Sequence, residues 1–140
     1  MAGVISRLPV RFADCDPAGI AYYPALFALC DAAIEEWTGV VIGVSRQVMH
    51  QDMALALPTV TMQADFAKVV AWGDQLDIAI TTRRVGSSSV DLIAAALCNG
   101  EQRFTVSYTQ VLMRMAGQVS QPWPQDWRER LEHSVQENAQ

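Results

Sequence analysis

Charge is scarce in this chain: Asp, Glu, Lys and Arg make up 18% of 140 residues, against 51% apolar ones. That excludes a disordered or solvating polypeptide. Basic residues are scarcer still, ten against fifteen acidic ones, and the net charge of −5 repels phosphate backbones and anionic lipid, so neither nucleic acid nor a membrane surface is an expected partner. The three cysteines, Cys15, Cys30 and Cys98, are odd in number and far apart. They form neither a disulfide framework nor a metal or redox pair, which fits a reducing compartment. Long hydrophobic runs are missing too: the stretch from Ala18 to Cys30 contains Pro24, stops at Asp31 and falls short of the roughly 18 apolar residues of a membrane span. Met1 to Val10 holds no long apolar segment before a cleavage site. A soluble cytoplasmic protein is the expectation.

The length suits one domain over residues 1–140 with one core, and the apolar surplus suggests burial of further surface by self-association. Leu8, Val10 and Phe12 alternate with Arg7 and Arg11, the period of a half-buried strand ending near Ala13. The run DCDPAG, Asp14 to Gly19, then clusters turn residues. Between Pro24 and Trp37 apolar residues cover almost every face of a helix until Asp31, Glu35 and Glu36 add a polar stripe, and Gly39 is a plausible stop. Val40 to Leu57 has weak periodicity. From Pro58 the period falls to two: Val60, Met62, Ala64 and Phe66 alternate with polar residues, predicting a long strand that bends near Lys68 and reaches Trp72. Turn signals at Gly73-Asp74, Gly86 with its serines, and Asn99-Gly100 separate three further strands. The expected architecture is α+β, a four-stranded antiparallel meander curved around one helix. Pro122 to Glu137 is expected as a short amphipathic helix carrying Trp127 and Leu131. The Ala-rich run from Ile93 to Leu97 offers both faces for burial, which a second copy of the chain would cover most simply.

In the stretch from Arg11 to Pro24 a strand delivers Asp14 and Asp16 into a loop that runs into the apolar helix. Unpaired N–H groups at a helix start can hold a carbonyl oxygen that becomes negative, while a carboxylate attacks the carbon or activates water. Two aspartates capping turns is the competing reading. Cys15, flanked by both, is disfavoured as a thiolate nucleophile. His50 and His133 lie far from the motif.

Phe12, Asp14, Asp16, Pro17, Gly19, Ile20, Tyr23 and Pro24 write F-x-D-x-D-P-x-G-I-x-x-Y-P. This run resembles the hot-dog-fold acyl-CoA thioesterases of the 4-hydroxybenzoyl-CoA thioesterase type, and the likeness continues through Asp65-Phe66 and the segment Trp72 to Leu76. The resemblance implies a curved antiparallel sheet wrapped around one long central helix, with Asp16 as nucleophile or general base and the Tyr23 backbone amide as oxyanion donor. Asp14 would shape the loop. It also implies an acyl pocket between subunits of a dimer or of a homotetramer built as a dimer of dimers. Gly19, Tyr22, Leu57, Pro58, Ser87 and Ser88 are candidate substrate-binding residues, and Arg84 is a candidate phosphate contact. Ser87 to Ser89 stand where that branch carries basic and aromatic side chains. Coenzyme A would enter as part of the substrate, and no metal or other cofactor is expected. The substrate would be an aromatic or short acyl-CoA. Its rivals are an aliphatic acyl-CoA or carrier-protein thioester, and a hot-dog module that binds acyl-CoA without turnover.

Overall fold

The computed structural model describes residues 3–139. Strand β1 (Val4–Pro9) leads through a single 3-10 turn, Phe12–Asp14, to helix α1 (Tyr23–Trp37). A wider π turn over Thr38–Ile42 closes at Gly43, whose φ of 85° is left-handed, and α2 (Arg46–Gln51) starts where the Ser45 hydroxyl accepts the Val48 N–H. Then come β2 (Leu55–Ala56), β3 (Thr59–Phe66), β4 (Gln75–Val85), β5 (Ser89–Cys98), β6 (Glu101–Val111), β7 (Met113–Arg114), β8 (Val119–Ser120) and α3 (Gln125–Asn138).

The main sheet has the order β1-β4-β5-β6-β3 with every pair antiparallel, while β2, β7 and β8 form a small second sheet. Leu26, Cys30, Ala33, Ile34 and Trp37 of α1 are buried at helical spacing. They share one core with Leu76, Ile78 and Ile80 of β4, Val90 to Ala96 at alternate positions of β5, and Phe104 and Val106 of β6. Burial of each large side chain contributes roughly 2 kcal/mol. Asn99 and Gly100, with φ of 51° and 77°, make the expected two-residue hairpin between β5 and β6. A buried polar contact joins three elements: Trp37 Nε1–H donates to Thr82 Oγ1 at 3.0 Å, and that oxygen lies 2.7 Å from Ser134 Oγ of α3. Trp127 and Leu131 of α3 are buried as its amphipathic pattern requires.

Several expectations need correction. β1 stops at Pro9 rather than near Ala13: the chain turns into the 3-10 segment, Val10 is buried, and Phe12 is 70% exposed. The four later strands are not a simple meander. Only β4, β5 and β6 follow one another, whereas β3 pairs with β6 at the far edge and the segment after Phe66 crosses to β4 beside β1. β3 ends at Phe66, not Trp72. Its apolar alternation is real, yet Val60, Met62 and Phe66 are exposed, because an edge strand with a bulge between Thr59 and Thr61 has no neighbour on its outer side. The weakly periodic Val40–Leu57 region resolves into the π turn, α2 and β2, each too short for periodicity to register.

Candidate active site

The motif folds into a tight loop held by its own backbone. Asp14 Oδ2 accepts the Arg11 N–H at 2.9 Å, closing the 3-10 turn, and the Asp14 carbonyl accepts the Tyr22 N–H at 2.8 Å. Asp16 N–H donates to the Ile20 carbonyl at 2.9 Å and its carbonyl accepts the Gly19 N–H at 3.0 Å, a reversal for which Gly19 takes φ 76°. The loop is stitched to the crossover by Ala21 N–H to the Val70 carbonyl, 2.7 Å, and Trp72 N–H to the Gly19 carbonyl, 3.0 Å. Arg103 braces that crossover, donating to the Val69 carbonyl at 2.7 Å and pairing with Asp74 at 2.9 Å.

One oxygen of the Asp16 carboxylate, Oδ1, accepts the Ala18 N–H at 2.9 Å and the Ile20 N–H at 3.5 Å. Among the described residues the other oxygen has no partner, and no basic side chain pairs with Asp16. The helix start is equally economical. Tyr22 N–H is spent on Asp14, Pro24 has none, and the N–H groups of Ala25 and Leu26 both reach the Tyr22 carbonyl at 2.8 and 3.3 Å. Tyr23 N–H is the one amide of this first turn left without an acceptor among the described residues. Asp16, Tyr22, Tyr23 and Leu26 face Phe66 and residues 67–70 across a cavity of about 450 Å³. Aromatic rings continue from it as a ladder: Tyr22 to Tyr23 at 5.2 Å, Tyr23 to Phe27 at 5.9 Å, Phe27 to Phe66 at 6.1 Å and Phe66 to Phe104 at 5.9 Å. Behind the loop the exposed rings of Phe12 and Trp72 pack at 5.2 Å. Desolvation, and then the charges of Asp14 and Asp16, raise the Cys15 thiol above its usual range and hold it as a thiol.

The other sequence candidates stand elsewhere in the protomer. Gly19 shapes the loop and is not on the cavity wall. Leu57 lines a second cavity, of about 790 Å³, bounded by α1, α2, Thr59 and Gln110, and Pro58 adjoins it. Ser87, Ser88 and Arg84 lie at the far end of the eleven-residue β4, a strand on the order of 35 Å long at about 3.3 Å per residue, and none of them lines the Asp16 cavity. There the carbonyls of Gly86 and Ser87 accept from Arg128 at 2.6 and 3.3 Å, and that of Ser88 accepts from the Leu112 N–H at 2.7 Å. Sequence reasoning missed the wall at residues 67–70, and it missed Arg46 and His50 in the second cavity. No local spacing marks either group.

Residues 10–131 match the family model of the thioesterase-like superfamily. The chain belongs to that superfamily. A 1,4-dihydroxy-2-naphthoyl-CoA hydrolase of Thermosynechococcus vestitus is 30% identical over 101 residues, 72% of this chain and 68% of that one. A second hydrolase of that name, from Synechococcus sp. WH7803, is 36% identical over 90 residues, which span 59% of this chain and 58% of that relative's length. The crystal structure of a thioesterase-superfamily protein from Jannaschia sp. CCS1 superposes with a TM-score of 0.87 at 25% identity, covering 95% of this chain and 93% of that one. The thioesterase-like chain thus has the hot-dog fold that its motif leads one to expect, a long helix in a curved antiparallel sheet. No helix among its described residues is long and apolar enough to cross a membrane.

Proposed function

We propose that the protein hydrolyses an aromatic acyl-CoA thioester to the free acid and coenzyme A. The observation that carries this reading is the pairing, beside one cavity, of a carboxylate oxygen and a helix-start N–H that have no partner among the described residues. The thioester carbonyl oxygen accepts the Tyr23 N–H, which strengthens as negative charge develops there. Asp16 takes a proton from water as hydroxide adds to the carbonyl carbon, or adds directly and leaves a mixed anhydride that water then opens. The carbon–sulfur bond breaks, and the coenzyme A thiolate leaves without needing strong acid assistance. Asp16, the amide and water complete the reaction, with no metal or further cofactor.

The aromatic ladder beside Asp16 favours an aryl acyl group, as do relatives named for a dihydroxynaphthoyl ester. β3 lies at a sheet edge with Val60, Met62 and Phe66 exposed, and two-fold antiparallel pairing of two β3 strands would cover them. In such a dimer the Phe66 end of one β3 meets the Thr59 end of the other, so Leu57 and Pro58 of the second copy approach Asp16. The turn with Ser87, Ser88 and Arg84 comes to the same side, where it can meet the coenzyme A moiety. Ile5, Ala79 and Ala95 stand side by side on one sheet face, with Ile5 exposed, a face that suits a dimer of dimers. Three free thiols suit a reducing, cytoplasmic setting.

The test is free-thiol release from hydroxybenzoyl-, benzoyl-, phenylacetyl-, acetyl- and medium-chain acyl-CoA. Aryl esters are expected to turn over, and Asp16→Asn is expected to lose a hundredfold or more. Hydrolysis confined to aliphatic esters would overturn the aryl assignment. Tight ester binding without thiol release would replace the enzyme by a binding module.

A further inference from the structure

Asp16 and the Tyr23 amide belong to differently held parts of the protomer. Tyr23 opens α1, whose buried face lies in the core, whereas Asp16 sits on a loop bonded at both ends to the crossover of residues 67–74. Ahead of Asp16, Val10 makes two backbone hydrogen bonds to that crossover: its N–H donates to the Asp74 carbonyl at 2.8 Å and its carbonyl accepts the Gly73 N–H at 3.0 Å. Behind Asp16, the Ala21 N–H donates to the Val70 carbonyl and the Gly19 carbonyl accepts from Trp72. The place of the crossover therefore sets the place of the carboxylate. Packing holds it weakly, since of residues 67–74 only Val70 is buried. Arg103 holds it instead. The register of β5 on β6 slips between Ala96 and Leu97, which pair with Phe104 and Gln102, so Arg103 is the unpaired residue of a bulge. Its carbonyl accepts from Ala67 and Lys68 at 2.9 and 3.0 Å. Its side chain, 17% exposed, reaches the Val69 carbonyl at 2.7 Å and Asp74 Oδ2 at 2.9 Å through Nη1, with Nε 3.0 Å from Glu101 Oε1. The neighbouring Lys68–Glu101 pair is exposed and contributes little.

We infer that Arg103 is a positioning residue for the hydrolysis, fixing the Asp16 carboxylate against the Tyr23 N–H through the crossover and the loop clasped to it. The inference rests on the thioesterase reading of that site. Arg103 is not among the residues that line the Asp16 cavity, so it acts on the reaction through Asp16 and not on the ester. Its grip divides at Asp74. Asp74 Oδ2 accepts both Arg103 and the Ala71 N–H at 2.9 Å, while the Asp74 carbonyl holds Val10. One guanidinium thus fastens the turn that carries the front of the loop and, through Val69, the wall that carries its back. Hydrogen bonds from a charged donor are short and strong for their kind. Their loss frees the carboxylate to move relative to the amide, and a misplacement on the order of 1 Å at a reacting group costs about a hundredfold in rate. Ester binding is touched less, because Tyr22, Tyr23 and Phe27 stay with α1.

The test is Arg103→Met, assayed by thiol release from whichever of the aryl-CoA esters the wild type cleaves fastest, under conditions where urea unfolding shows the variant to be folded. Its kcat should fall about ten- to hundredfold with KM changed far less. Amide exchange read by NMR should quicken severalfold at Ala21 and Trp72, whose N–H groups close the clasp, and stay unchanged in β5. Arg130→Met is the control. It removes a guanidinium that donates to the Ile42 carbonyl and makes no hydrogen bond to the crossover or the Asp16 loop among the described residues, so it should cost stability and leave kcat alone. Should Arg103→Met not fold, Arg103→Lys keeps the charge on a side chain one bond shorter and should still lose kcat severalfold. Wild-type kcat in the folded variant, a loss carried by KM alone, unchanged exchange at Ala21 and Trp72, or an equal loss in Arg130→Met overturns the inference and leaves the thioesterase reading standing. If the wild type releases thiol from none of the esters, that reading fails and takes the inference with it.

Discussion

Gly19 offers a graded test of how the loop holds Asp16. Its φ of 76° is left-handed, and a Cβ built there meets nothing within 4 Å, so substitution imposes backbone strain with no collision. An L residue in that conformation costs roughly 1–2 kcal/mol, and alanine recovers about 0.4–1 kcal/mol by restricting the unfolded chain. Gly19→Ala should therefore lose about 1 kcal/mol of stability. Gly19→Val should lose more, being β-branched, and Gly19→Asn less, because asparagine tolerates this region. The same strain acts on the site. Gly19 N–H donates to the Asp16 carbonyl and the Gly19 carbonyl accepts from Trp72, so relief of strain by a loop shift carries Asp16 with it. About 1 kcal/mol against the native loop corresponds to a roughly fivefold fall in kcat/KM for Ala. Val should lose tenfold or more and Asn should stay within about twofold. Urea unfolding at one fixed protein concentration reads the first series, and thiol release from a saturable aryl-CoA reads the second. If Ala and Val match wild type in both, or if Asn is worse than Ala, the loop does not depend on a left-handed residue and the reasoning fails.

Thr82→Val removes the acceptor of a Trp37 N–H that is wholly buried, and should cost about 2 kcal/mol in urea unfolding; the same change in a Trp37→Phe background should cost clearly less. Burial raises the Asp31 carboxyl above the usual carboxylate range, with Arg46 pulling the other way. A raised native pKa means stability is full below the unfolded value and is lost as pH rises through the native one, so Asp31→Asn should gain stability over wild type at pH 7 and match it below about pH 4. If two β3 edges pair as proposed, Gln63→Pro, in the middle of β3, should yield a monomer in light scattering and abolish thiol release together, each proposed site drawing on both copies. Retained activity in a monomer would refute the shared site.

The sequence made β4, β5 and β6 legible because one face of each lies on the core, so Leu76, Leu92 and Phe104 repeat at the period of burial. β3 shows the same alternation without the burial: Val60 and Met62 are apolar for a surface that one chain does not cover, and pattern alone cannot tell a core from an interface. Strand pairing was misread for a related reason, since Gly73-Asp74 signals a turn but not which strand the chain joins after it. The site divides in the same way. Asp16 and Tyr23 are written into one motif within eight residues of each other, and Tyr22 occupies the open position between Ala21 and Tyr23. Their opposing wall at residues 67–70, and the Arg46 and His50 cavity, arrive through tertiary packing that leaves no spacing in the chain.

Trp37, Trp123 and Trp127 are at most 5% exposed, whereas Trp72 is 61% exposed and is tied by its backbone to the loop that carries Asp16. The molecule therefore contains its own optical gauge. A small aqueous quencher such as acrylamide reaches one indole and is kept from the other three, so the quenchable part of the native emission belongs to the crossover strapped to the Asp16 loop. Binding of any ligand beside that loop can thus be followed in the unlabelled wild-type protein, whether or not a reaction follows.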